Sequence, residues 1–244
     1  MKLNIPSSEF AKRLEAQCHG TLLPDLIQTI SFDTRKILSS DGTVFFALEG
    51  SFRSGHDFLH DAFDKGIRYF VVSTLPDLSR FQQCCFFLVD SPLTALQKLA
   101  AIHRKQYTYP LVAITGTIGK TTVKEWLYHC LSDLKNIVRS PKSYNSQFGV
   151  ALSILEMNDN HDLAIIEAGI SKPGEMQFLE EMIKPDIGLL TKVGTAHAEN
   201  FKSKQEHVDE KWKLFKDSSV VLLGEAISIE DDRSKLCRTS DFTS

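Results

Sequence analysis

With 244 residues, 42% of them hydrophobic and 24% charged, the chain has the composition of a soluble globular protein and enough length for two compact α/β units. A net charge of −3, with basic residues scattered along the chain, argues against nucleic acid as a partner. No run approaches the about 18 apolar residues needed to cross a bilayer, and "MKLNIPSSEFAKRLEAQ" has no apolar leader core, so a cytoplasmic location away from the membrane is expected.

From the N-terminus to about residue 109 helix and strand patterns alternate. "SEFAKRLEAQ" reads as a helix, "VFFAL" as a buried strand, "HDFLHDAFDKG" as a helix ended by Gly66, "RYFVVS" and "CFFLV" as strands, and "SPLTALQKLAAIHRKQ" as a helix capped by Ser91. "YTYP" then offers a joint, because Pro110 stops the helix and restricts its neighbour. Two domains are therefore expected, 1–109 and 110–244. Cys18, Cys84, Cys85, Cys130 and Cys237 lack a C-x-x-C spacing and read as reduced, mostly buried thiols.

Beyond the joint, "LVAI" is a short apolar strand that runs straight into "TGTIGKTT" and a helix. In that helix Val123, Trp126, Leu127, Cys130, Leu131 and Leu134 recur at helical spacing and predict one apolar face. "NIVRS", "LAIIE", "IGLLT" and "SVVLL" read as further strands, separated by helices over "GVALSILEM", "GEMQFLEEMI" and "KQEHVDEKWKLF". The fold class is therefore α/β, a small first domain followed by a P-loop domain with a mainly parallel sheet. Such sheets bind ligands at the carboxyl ends of their strands. The tail after Leu223 is polar and only faintly periodic, and the second domain is expected to be incomplete.

The loop carries the chemistry. Gly116 and Gly119 let the backbone of residues 116–122 curl so that its N–H groups point at phosphate oxygens, with Thr117 and Thr122 flanking. Lys120 would neutralise the terminal phosphates and Thr121 would offer its hydroxyl to magnesium. The longer G-x-x-x-x-G-K-[ST] pattern is not met, because Ile114 stands at its first glycine. The placement between strand and helix favours a nucleoside triphosphate site over a solvated glycine turn.

Three further side chains qualify by position. Glu167 closes an apolar strand, a common structural feature, but on the same rim as the loop it becomes a candidate magnesium ligand. His197 follows the next strand end, where imidazole would bind a metal or polarise a substrate; most loop histidines do neither. Lys211 lies three residues after Val208 and four before Phe215, near the inner face of its helix, where a lysine more often snorkels its stem over apolar surface.

Together "SFDTRK", "VFFALEGSFRSGHDFLHDAFDKG", "AITGTIGKTTVKEW", "SYNSQFGVALS", "AIIEAGISKPGEM", "IGLLTKVGTAHAENF" and "EKWKLF" resemble, in order, the Mur ligase family. Within it they are most similar to the branch that adds D-alanyl-D-alanine to UDP-N-acetylmuramoyl-tripeptide. The resemblance implies a UDP-binding N-terminal domain, a central ATPase domain, and a third C-terminal domain that this sequence does not contain. It implies ATP and Mg2+ as cofactors, with Lys120 on the ATP phosphates and Thr121, Glu167 and His197 at the metal. Lys211 matches the lysine that the family carbamylates, which would make it a metal ligand as well. Thr34 and Arg35 match the UDP-contacting stretch, His56 the "DGH" turn in which Ser54 replaces aspartate, and Asn145 a residue on the muramoyl-peptide side. Ile118 stands where the family has asparagine or serine.

The implied function is ATP-dependent amide ligation through an acyl phosphate, with UDP-N-acetylmuramoyl-tripeptide and D-Ala-D-Ala as partners and no indication of oligomeric state. Two other readings stay open from the sequence: a sibling ligase using a different amino substrate, and a catalytically incomplete module that binds UDP or ATP.

Overall fold

A computed structural model describes residues 3–21, 23–50, 52–194, 198–224 and 231–236. The chain divides into two units, Met1–Leu99 and Ala100–Ser244.

The first unit contains β1 (Ile5–Pro6), α1 (Ser7–Leu14), β2 (Gln17–Gly20), β3 (Leu26–Ile27), β4 (Thr29–Ser31), β5 (Thr43–Phe46), α2 (Leu59–Asp64), β6 (Tyr69–Val72), β7 (Cys85–Leu88) and the start of α3 (Pro92–Arg104). Its sheet has the order β2-β7-β6-β5-β4, parallel except for β2 at the edge. The apolar runs of β5 and β6 are buried at every position, as strands covered on both faces must be. One face packs Phe45, Phe70, Phe81 and Phe86, with Phe70 and Phe86 stacked at 4.9 Å; the other sets Phe10 of α1 against Phe87 at 5.4 Å. Ser91 caps α3 as its sequence suggests, its Oγ accepting from Thr94 N–H at 3.3 Å. The end of the first predicted helix is instead strand β2, an edge too short to show a period.

The second unit contains β8 (Leu111–Thr115), α4 (Lys120–Leu131), β9 (Ile137–Arg139), α5 (Gln147–Leu155), β10 (Leu163–Glu167), α6 (Glu175–Ile183), β11 (Ile187–Leu190), α7 (Lys204–Trp212), β12 (Val220–Leu223) and β13 (Ser234–Leu236). Its sheet is parallel throughout, in the order β13-β12-β11-β8-β10-β9. β13, inside the polar tail, adds an edge strand that the sequence pattern does not announce. The connection from β8 leads toward β9 on one side and that from β10 toward β11 on the other, which opens a crevice at the carboxyl end of β8. Ala113, Ile114, Ile165 and Ile166 are fully buried in the central strands, as are Val150 and Ile154 of α5 and Met176 and Leu179 of α6.

Helix α4 corrects the sequence reading. Trp126 is 66% exposed and Leu134 77% exposed, Cys130 is also exposed, and Val123, Leu127 and Leu131 are only half-buried. The buried residue of this helix is Lys124. Lys124 points inward because the groups it meets there are carbonyls and a carboxylate. The thiols also divide differently from the expectation: Cys84 and Cys85 are buried, Cys18 and Cys130 are exposed, and all four are free. Cys237 lies outside the described residues.

The orientation of α4 can be tested by unfolding. Trp126→Ala should change stability by no more than about 0.5 kcal/mol, as at an ordinary surface position, whereas Ile166→Ala should cost about 2–5 kcal/mol. Denaturant titration of both variants checks this, and a Trp126→Ala loss as large as that of Ile166→Ala would restore the predicted face.

Candidate active site

Parallel register brings three strand ends side by side. Glu167, the last residue of β10, pairs with Ile114 of β8, and Leu190, the last of β11, pairs with Thr115. The chain leaves β8 through Gly116, whose φ is 138°; a Cβ there would come within 2.0 Å of Thr191 Oγ1, so only glycine lets the loop pass the exit of β11. Gly119 holds φ 88°, and α4 begins at Lys120 with no side-chain cap. The first-turn N–H groups of α4, with the positive end of its dipole, are left for an external acceptor.

The loop is already shaped. Thr117 N–H and Ile118 N–H donate to the Lys192 carbonyl at 2.9 and 3.2 Å. Lys120 Nζ folds back to Gly116 O at 3.0 Å, and burial pushes its pKa down against the opposing pull of Glu167. Thr117 Oγ1 is buried and, among the described residues, has no hydrogen-bond partner. Thr122 is exposed in the first turn of α4, and Ile118 is exposed as well.

Glu167 is the hub. It is 1% exposed; its Oε2 accepts from Thr121 Oγ1 at 2.9 Å, its Oε1 accepts from Asn145 Nδ2 at 2.7 Å, and its N–H donates to Ser140 Oγ at 3.0 Å. Lys124 Nζ stands 3.7 Å from Oε2. Ser143 Oγ lies 3.5 Å from Thr121 Oγ1. Asn145, expected on the peptide side, thus fixes the carboxylate directly.

Lys211, on α7, is 2% exposed, and its pKa is pushed down to about 8 by burial first and by the Lys120 charge second, with Glu210 opposing. It shares a cleft of about 180 Å³ with Gly116, Thr117, Lys120, Asn145, Ser146, Gly169 and Glu175. That volume is below the ~300–1,000 Å³ of pockets that enclose a whole ligand, so the cleft has room for only part of one. His197 lies outside the described residues.

The donor set fits magnesium. Among the described residues no group of three His, Cys, Asp or Glu side chains gathers as a metal site. Magnesium does not require one, since it commonly binds through one or two carboxylates, substrate phosphates and water. Thr121 Oγ1 and the Glu167 carboxylate offer hard oxygens side by side at the mouth of the phosphate loop.

The first unit holds a separate cleft lined by Phe32, Asp33, Thr34, Arg35, Arg53, Phe58 and Asp61. Thr34 and Arg35 both line it, and Arg35 gives its Nε and Nη2 to Asp33 at 2.9 Å each, a bond that lowers the Asp33 pKa. His56 does not line this cleft. Its Nε2 accepts from Ser73 N–H at 3.2 Å and Thr74 N–H at 3.4 Å, which places the proton on Nδ1 toward Glu49 Oε1 and Ser54 Oγ, each 3.2 Å away. Ser54, the replacement for aspartate, caps the 3-10 turn Gly55–Phe58 in a capping box with Asp57.

Residues 114–239 match the Mur ligase middle domain. The chain belongs to the Mur ligase family. A UDP-N-acetylmuramoyl-tripeptide--D-alanyl-D-alanine ligase of Synechocystis is 38% identical over 171 residues, covering 70% of this chain and 37% of that protein. Two MurF crystal structures share the architecture. That from Acinetobacter baumannii has a TM-score of 0.84 at 24% identity, covering 92% of this chain and 49% of the other. That from Thermotoga maritima, in complex with ADP, has a TM-score of 0.71 at 27% identity, covering 85% and 49%. The chain thus spans less than half the length of each of these Mur ligases.

Sequence reasoning missed Lys124, Ser140, Ser143 and the Lys192 carbonyl. Only Lys124 left a trace, one helical turn after Lys120.

The Lys211 shift sets a pH dependence. Its folded pKa of about 8 lies below its ordinary 10.5, so between those values the unfolded chain binds more protons and stability rises with pH. Below about 8 the cost of burying the charge is fully present. Lys211→Met should therefore stabilise the chain near pH 7, by about 3 kcal/mol at most, with the gain fading as pH approaches 10.5. Paired denaturation curves in carbon dioxide-free buffer check this; a gain independent of pH would contradict it.

Proposed function

We propose that the protein is an ATP-dependent ligase of peptidoglycan precursor synthesis, acting in the cytoplasm to join D-Ala-D-Ala to UDP-N-acetylmuramoyl-tripeptide. The observation that carries this reading is the convergence of Lys120, Thr121, Asn145, Glu167 and Lys211 at the strand ends around β8 in a Mur ligase chain whose relatives are named for that reaction. The unit Met1–Leu99 is the UDP-substrate unit, with Thr34 and Arg35 in its cleft, and the unit Ala100–Ser244 is the ATP unit. Among the described residues no helix is long and apolar enough to cross a membrane.

A carboxylate and an amine do not condense at neutral pH because an oxide oxygen is a poor leaving group. An oxygen of the tripeptide's terminal carboxylate attacks the γ-phosphorus of ATP; the bond to the bridging oxygen breaks and ADP departs with its electron pair. The amine of D-Ala-D-Ala then attacks the acyl carbon of the resulting acyl phosphate, phosphate leaves, and the amine loses a proton to solvent. The protein contributes position and charge. Lys120 and the first-turn N–H groups of α4 stabilise negative charge on the transferred group. Thr121 and Glu167, with His197, would hold Mg2+, which when bound spreads the charge of the β- and γ-phosphates.

Lys211 suits carbamylation. A pKa of about 8 leaves an appreciable fraction as neutral amine near neutral pH, and only the neutral amine attacks carbon dioxide. The N–C bond forms and the nitrogen releases a proton, which with the one already lost from the ammonium makes two, leaving an anionic group with two oxygens, a hard ligand in place of a buried cation.

Two measurements test the reading. Calorimetric titration should show saturable binding of Mg-ATP and of UDP-N-acetylmuramoyl-tripeptide, with Lys120→Ala and Glu167→Gln weakening Mg-ATP tenfold or more; absence of Mg-ATP binding by the unaltered chain would sink the ATP site. Incubation with 13C-bicarbonate should give a carbamate NMR signal that Lys211→Met removes, and a signal that survives the substitution would place the carbamate elsewhere. In the full-length protein, phosphate release should require D-Ala-D-Ala; release with another amino acid instead would identify a sibling ligase.

A further inference from the structure

Lys124 takes no part in the phosphoryl transfer, yet it is the most deeply buried residue of α4, with 0% exposure. A methionine would fill similar volume without desolvating a charge, so a lysine here needs a reason. Its ammonium donates to Ser140 O at 2.8 Å and to Lys142 O, and stands 3.3 Å from Glu125 Oε1 and 3.7 Å from Glu167 Oε2.

Both carbonyls belong to the turn between β9 and α5. Within it Lys142 holds φ 50°, the left-handed region that side-chain-bearing residues rarely occupy. The Lys142 side chain is exposed and nothing about it demands that conformation. The same turn delivers Ser143 to within 3.5 Å of Thr121 Oγ1 and Asn145 to Glu167 Oε1. On its far side Asn145 O accepts from Gly169 N–H at 2.7 Å, and a Cβ at Gly169 would press on the Asn145 amide at 3.1 Å. The turn is thus pinned at both ends, from α4 by one ammonium and from the exit of β10 by one peptide group.

We propose that Lys124 is a positioning residue of the nucleotide site: its ammonium clamps the strained turn at residues 140–145, so that Ser143 and Asn145 meet the Thr121–Glu167 pair before nucleotide arrives. The inference rests on the ATP-site reading given above. It also assigns the clamp to N–H donation onto two carbonyls, and not to the lysine's charge acting on Glu167.

The test is Mg-ADP binding to the 244-residue chain by calorimetry, with thermal melting to follow the fold. Lys124→Met should weaken Mg-ADP tenfold or more. Lys142→Gly, which makes the left-handed turn free of strain, should bind within twofold of the unaltered chain. In combination with Lys124→Met it should bring binding back to within about threefold of the unaltered chain. Lys124→Gln, whose amide keeps N–H donors for the carbonyls but carries no charge, should also bind within about threefold, and it decides the matter if the methionine variant does not fold. Unaltered binding in Lys124→Met, a double variant as weak as Lys124→Met, or a folded Lys124→Gln as weak as Lys124→Met would each overturn the clamp. A merely structural lysine would lower the melting temperature while leaving the Mg-ADP affinity of the folded variant unchanged. Failure of the unaltered chain to bind Mg-ADP would instead remove the nucleotide site, and the clamp's purpose with it.

Discussion

A carboxylate at the end of β10 that is almost wholly removed from water is the constraint around which the second unit is arranged. Burying such a group without compensation is prohibitive. Glu167 is accepted because each of its oxygens takes a hydrogen bond and a lysine stands beside it. Those partners come from different pieces of chain: Thr121 and Lys124 from α4, Asn145 from the turn ahead of α5, and Ser140, through the backbone of Glu167, from the end of β9. One charge therefore dictates where a loop, a helix and a turn must lie, and the parallel register decides which strand ends they gather around.

The cleft beside it is electrostatically unfinished. Lys211 is buried and Lys120 half-buried, both have depressed pKa values, and the charge of Lys120 lowers the pKa of Lys211 further. Cations held close together away from water, next to an uncapped helix N-terminus, are relieved by anions. The first unit differs. Arg35 is held by Asp33 in a two-pronged bond, and His56 braces backbone N–H groups, so these charged or polar groups already have partners of their own. The charges of the first unit are thus compensated within the chain, while those of the second unit's cleft are compensated only in part.

Much of this was legible in the residues. The strands "LVAI", "LAIIE" and "IGLLT" announce themselves because a strand buried on both faces can be apolar throughout, and Glu167 stands out by ending one of them. The phosphate loop is visible because its glycines meet a steric and conformational demand that no other residue satisfies. What escaped reading depends on contacts distant in sequence. Lys124 looks like a solvent-facing residue to any periodicity argument, since its carbonyl partners lie 16 and 18 positions away and Glu167 lies 43 away. The apolar stripe of Trp126 and Leu134 misled for the complementary reason: spacing reports a stripe and is silent on what covers it. β2 and β13 are short edge strands, and strands of three or four residues carry too few alternations to be told from loop.

The Lys192 carbonyl, already holding the N–H groups of Thr117 and Ile118, changes what an arriving phosphate does. At these two amides it would exchange one acceptor for another and fill no vacancy, so the net gain there is only the difference between an anionic oxygen and a neutral carbonyl. The contact holds the backbone of the loop in one shape by itself, with two amides sharing one carbonyl. On the proposed reading, the contact that preserves the loop's form would also let the phosphate go by taking its place.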